Sequence, residues 1–127
     1  MKAYRISPIF RVSDLADAIS FYTSKLGFTE EFIYGEPAYY AGVRKDNVLI
    51  HLNSADEQDA ALGKGYIYIF CEGIDEYYHT LYESGVKITS ELQSWPYGMR
   101  DFQIVDCSGN HISFGCAVEL NPNGSHG

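Results

Sequence analysis

The chain has 127 residues, enough for one domain or two tightly fused halves that bury about two-thirds of their unfolded surface, so no disulfide or metal staple is required. Nine basic against seventeen acidic side chains leave a net charge of −8, which argues against nucleic acid or an anionic membrane as partner and suits a cationic ligand as well as plain solubility. Cys71, Cys107 and Cys116 have no framework spacing and no apolar leader or spanning segment precedes the first strand, so the expectation is a cytoplasmic protein with free thiols.

In chain order, Arg5 to Val12 reads as a strand with Pro8 near its middle. Asp14 to Leu26 reads as a helix with Leu15, Ala18, Ile19, Tyr22 and Leu26 on one face, closed by Gly27 and followed by a strand from Phe28 to Tyr34. Val48 to Leu52 is a strongly apolar strand that contains His51, which is either an interior histidine or a residue facing a cleft. Ser, Asp, Gly and Lys then concentrate in a linker, residues 54–64.

The plan repeats after the linker. Tyr66 to Cys71 alternates as a strand, and Asp75 to Ser84 is a helix carrying Tyr77, Tyr78, Leu81 and Tyr82. Gly85 closes that helix and Val86 to Ser90 begins another strand, an offset of about half the chain from the first half. Trp95 to Gly98 forms a stiff aromatic loop, Phe102 and Ile104 alternate, Asp106 to Asn110 is a turn, and His111 to Phe114 alternates again. His79 falls on a helix surface, and residues 121–127, with His126, read as a flexible tail.

Pro96-Tyr97-Gly98 followed by Asp106-Cys107-Ser108-Gly109-Asn110 resembles the last hairpin of the bleomycin resistance proteins, a metal-free branch of the vicinal oxygen chelate (glyoxalase/bleomycin resistance/dioxygenase) superfamily. Val12-Ser13-Asp14-Leu15, Phe21-Tyr22, Leu26-Gly27-Phe28, Tyr40-Ala41-Gly42-Val43 and Gly73-Ile74-Asp75-Glu76-Tyr77 extend the resemblance over nearly the whole chain. It implies an α+β fold of two βαβββ modules in tandem, about 1–53 and 65–120, whose curled sheets present concave clefts. In metal-using members the ligands come from positions that match Ser7, His51, Tyr66 and Ser113. One imidazole, two hydroxyls and a phenol are a poor donor set for a divalent transition metal, so no metal, cofactor or catalytic group is expected. A two-histidine alternative pairs His51 with His111, which shares a strand face with Ser113.

Eleven tyrosines, seven phenylalanines and one tryptophan exceed what a small core needs, so some rings should face ligand. The resemblance places the gripping rings at Tyr97 and Tyr40, with Trp95 two residues from the usual loop position, and an acidic residue for the cationic end at Glu31. His51, Tyr66, Phe102, His111 and Ser113 complete the expected ligand-binding set. The resemblance further implies a homodimer that exchanges its N-terminal strand around Pro8, and stoichiometric sequestration of a cationic, partly aromatic antibiotic. A metalloenzyme with an atypical centre and a binding module for another small metabolite are the rival readings.

Overall fold

The computed structural model describes residues 1–118; the expected tail and His126 lie outside the described residues. The chain forms two compact units. The first comprises Met1–Gly65 together with Asp106–Asn110, and the second comprises Tyr66–Val105 together with the chain from His111.

In the first unit, β1 (Ile9–Val12), α1 (Leu15–Ser20), β2 (Thr29–Gly35), β3 (Ala38–Lys45) and β4 (Val48–Ser54) build a sheet of order β1-β4-β3-β2. The second repeats the plan with β5 (Tyr66–Phe70), α2 (Ile74–Glu83), β6 (Ile88–Ser94), β7 (Met99–Val105) and β8 (His111–Ala117), in the order β5-β8-β7-β6. In each sheet the first strand runs parallel to the last, Ile9 beside His51 and Tyr66 beside His111, while the other pairs are antiparallel. The sheets are curled and unclosed, the two-module α+β architecture expected from the sequence.

The first helix starts where Asp14 accepts the Asp17 amide at 2.9 Å, leaving one fewer orphan donor in the opening turn. After Ser20 the helix widens to a π-type turn over Phe21–Lys25, with the Leu26 amide reaching the Phe21 carbonyl. Gly27 follows at φ 81°, a left-handed position suited to glycine. Leu15, Ala18, Tyr22 and Leu26 turn inward against Phe10, Val12, Val43, Ile50 and Leu52, all buried. In the second unit Ile74 and Leu81 of α2 are buried, as are Phe102, Ile104, Ile112 and Phe114 of its sheet.

The first strand is shorter than the sequence pattern suggests. Only Ile9 to Val12 has ladder partners, in β4, and Arg5 to Ser7 have no strand pairing among the described residues. Tyr4 and Ile6 are correspondingly exposed.

The turn Asp106–Asn110 packs as part of the first unit. Asp106 is buried and its carboxylate accepts the Tyr22 hydroxyl at 2.8 Å, the Ser108 and Asn110 amides at 2.9 Å each, and the Asn110 side-chain amide at 3.0 Å. Asn110, fully buried, also donates to the Arg11 carbonyl and accepts from the Gly65 amide. This most conspicuous motif of the sequence is therefore a structural clip, in which each buried side-chain polar atom has a partner.

Candidate functional site

Alternation sends one set of side chains of each strand under the helix and the other to the opposite, open face. In the first unit the open face carries Phe32, Tyr40 and His51. The Tyr40 hydroxyl and His51 Nδ1 are 2.8 Å apart, and the Phe32 ring is edge-on to His51 at 5.3 Å and nearly parallel to Tyr40 at 6.3 Å. Phe32 lies across Gly42, where a Cβ would collide with its ring.

Glu31 differs from the expectation of an acid free to receive a cation. Arg44 grips it in a two-point ion pair, Nε to Oε1 at 2.7 Å and Nη2 to Oε2 at 3.2 Å, and this contact holds its carboxyl below the usual range. The pair borders a shallow depression lined by Gly27, Thr29, Glu30, Lys45 and Asp46, which is charged and contains no aromatic ring.

The open face of the second unit is the richer one. Tyr66, Tyr68 and Phe70 project from β5, Asp101 and Gln103 from β7, and His111 and Ser113 from β8. Tyr66 stacks on His111 at 6.0 Å, and Ser113 Oγ lies 3.3 Å from both the Tyr66 hydroxyl and Gln103 Nε2. Ser113 is itself buried beneath Tyr66, so it props that ring and offers little surface of its own. His111 Nδ1 is buried without a hydrogen-bond partner among the described residues.

Around Asp101 three donors converge: the Trp95 indole N–H at 2.8 Å, the Tyr68 hydroxyl at 2.9 Å and the Tyr97 hydroxyl at 3.5 Å. Trp95 and Tyr97 stand parallel, 6.0 Å between centroids and 6° between planes, on a turn closed by Trp95 and Met99 and completed by Gly98 at φ 92°. Tyr68 reaches the carboxylate because Gly115 lies beneath it; a Cβ there would strike the phenol oxygen. Burial and the Asp101 hydrogen bond push both phenols above their ordinary pKa, so they stay neutral donors.

Phe102 is corrected to a core residue. It is 1% exposed, stacks on Phe114 at 5.4 Å and meets Tyr78 of α2 edge-on at 5.0 Å, because its position in the alternation is the helix-covered one. Its neighbour Asp101 takes the open face, and Asp101, Tyr68, Phe70 and Gln103 were all missing from the sequence-based set. Alternation from Tyr66 would have drawn in Tyr68 and Phe70; the role of Asp101 left no local signal.

The residues at the superfamily's metal-ligand positions are a poor fit for a metal. His51 Nδ1 is engaged by Tyr40, and the Ser113 and Tyr66 hydroxyls by each other. Among the described residues no three His, Cys, Asp or Glu side chains come together. His51 and His111 belong to different units. No described helix is long and apolar enough to cross a membrane.

Comparison with known proteins matches residues 5–114 to the Glyoxalase/Bleomycin resistance protein/Dioxygenase superfamily. A bleomycin resistance protein of Geobacillus stearothermophilus is 31% identical over 125 residues, covering 84% of this chain and 92% of that protein. Two solved structures share the fold. One is a bleomycin-binding protein of Streptomyces verticillus complexed with copper(II)-bleomycin, with TM-score 0.74, 23% identity and coverage of 94% of this chain and 99% of that one. The other is an antibiotic binding protein of Streptomyces sp. CB03234, with TM-score 0.77, 21% identity and coverage of 92% and 98%. The match over most of its length, joined to the two four-stranded sheets of like strand order, places this chain in the Glyoxalase/Bleomycin resistance protein/Dioxygenase superfamily.

Proposed function

We propose that this protein binds a flat, cationic antibiotic of the bleomycin type and sequesters it without chemical change or metal. The observation that carries the reading is the open aromatic face of the second unit, where Tyr97 is 68%, Tyr66 63% and Phe70 75% exposed. Exposed rings gathered on one face mark a surface that a ligand or a partner covers, and the concave side of a curled sheet suits a small flat ligand. The relative named as a bleomycin resistance protein supports the ligand class, and the net charge of −8 supports the cation. The donor set at the metal-ligand positions favours binding over metal-dependent turnover.

On the second unit's face the ligand contacts in this reading are Tyr66, Trp95, Tyr97 and His111, with Ser113 as their support, and on the first unit's face Tyr40 and His51. We infer in addition a homodimer that exchanges its arm, residues 1–8, in a cytoplasm that keeps the three cysteines reduced. Among the described residues the arm has no ladder beyond the Pro8 carbonyl, which accepts the His51 amide at 2.9 Å, and it exposes Tyr4 and Ile6.

Titration of metal-stripped protein with bleomycin, metal-free and copper-loaded, tests the reading through Trp95 fluorescence and calorimetry. Saturable binding of one ligand per chain, weakened by salt, is expected. Absence of binding, with turnover of a thiol adduct or a catechol by metal-loaded protein, overturns it.

A further inference from the structure

We propose that Asp101 anchors a cation subsite on the second unit, in which Tyr68, Trp95 and Tyr97 both position the carboxylate and wall the bound charge. The inference rests on the binding function proposed above and names which group of the ligand the face selects and which residue selects it.

A carboxylate offers about four acceptor positions, and two are used here by the Tyr68 and Trp95 donors, with the Tyr97 hydroxyl at the outer limit of reach. All three donors are neutral, so they orient the charge without cancelling it. The adjacent Arg100 cannot neutralise it either: its guanidinium sits on the helix side, bound to Asp75 at 2.9 and 3.0 Å. The ion pairs of the described residues, Arg11 with Asp59, Arg44 with Glu31 and Arg100 with Asp75, all leave Asp101 out. A half-buried anion without a countercharge, beside rings whose π faces attract cations, is complementary to an ammonium, guanidinium or quaternised ring nitrogen.

The surroundings are specific to that arrangement. Gly115 makes room for Tyr68, and the Gly98 turn brings Trp95 and Tyr97 parallel, so the rings are fixed before a ligand arrives. Glu31, the acid suggested by the sequence, is already neutralised by Arg44 and is a poorer receptor for a ligand cation.

The test compares N-methylquinolinium with quinoline, flat rings of similar size that differ in charge at neutral pH, on wild type, Asp101→Asn and Tyr68→Phe. Wild type should bind the cation about tenfold more tightly than the neutral ring, and Asp101→Asn should erase that preference while quinoline affinity stays within about twofold. Tyr68→Phe loses one positioning hydrogen bond but keeps the charge, so the preference should shrink by about twofold to threefold without vanishing. Acrylamide quenching of Trp95 should rise in Asp101→Asn as its indole is released. Should that variant fail to fold, nuclear Overhauser contacts in the wild type decide: N-methyl protons against the Trp95 indole support the subsite, contacts only to Phe32 and Tyr40 overturn it.

A cation preference that is absent in wild type or survives in Asp101→Asn also overturns it. Bleomycin binding that is indifferent to Asp101 sinks this inference and leaves sequestration standing. Quinolinium selectivity without bleomycin binding supports the subsite and removes the proposed antibiotic.

Discussion

Tyr22 and Asp106, 84 positions apart, meet in a buried hydrogen bond of 2.8 Å that fastens the helix of the first unit to the turn before β8. The same carboxylate satisfies two backbone amides and the Asn110 side chain, so its removal orphans several buried donors at once. Asp106→Ala should cost about 3 kcal/mol or more, and Tyr22→Phe about 1–2 kcal/mol, in urea denaturation. Equal small losses would show that the clip is not cooperative.

The same tyrosine sets an alkaline limit. Burial, first, and then Asp106 raise the Tyr22 phenol well above its ordinary 10.0, so the native state keeps a proton that the unfolded chain releases. Its contribution is fully present below pH 10 and declines above it, by about 1.4 kcal/mol per pH unit for one proton. Unfolding free energy measured from pH 8 to 11 should fall less steeply in Tyr22→Phe than in wild type.

Gly115→Ala places a methyl group where the Tyr68 hydroxyl lies. The phenol is the free end of a side chain, so it should swing away at a stability cost of about 1 kcal/mol and release its bond to Asp101. Thermal melting should fall by only about 3–5 °C while the ligand affinity of the second unit's face drops. Retained affinity would show that Tyr68 is dispensable there.

Tyr97→Ala removes an exposed ring and should weaken bleomycin binding about tenfold with the melting temperature unchanged. Glu31→Gln, in contrast, should change affinity by less than about twofold, because Arg44 already occupies that carboxylate. Reversal of these two outcomes in calorimetry would move the ligand to the first unit.

Deletion of residues 1–7 removes Tyr4 and Ile6 but none of the β1 ladder. Sedimentation should then report monomer where the full chain reports dimer. A dimer that survives the deletion excludes exchange of the arm.

The sequence by itself determined the repeat, both helices, most of the buried face of the first, the glycines that end them and the family, because these follow from periodicity, turn chemistry and motif order along the chain. Tertiary structure alone decided which side of each strand is open. Alternation assigns Asp101 and Phe102 to opposite faces but is silent on which of the two α2 covers, and the helix took Phe102. The partners of charge were equally hidden: Arg44 reaches Glu31 across neighbouring strands with a bulge between them, and Trp95, Tyr68 and Tyr97 converge on Asp101 from one strand and one turn. Polar side chains take partners by distance in space, and that distance is fixed only when the sheet has its curl and register.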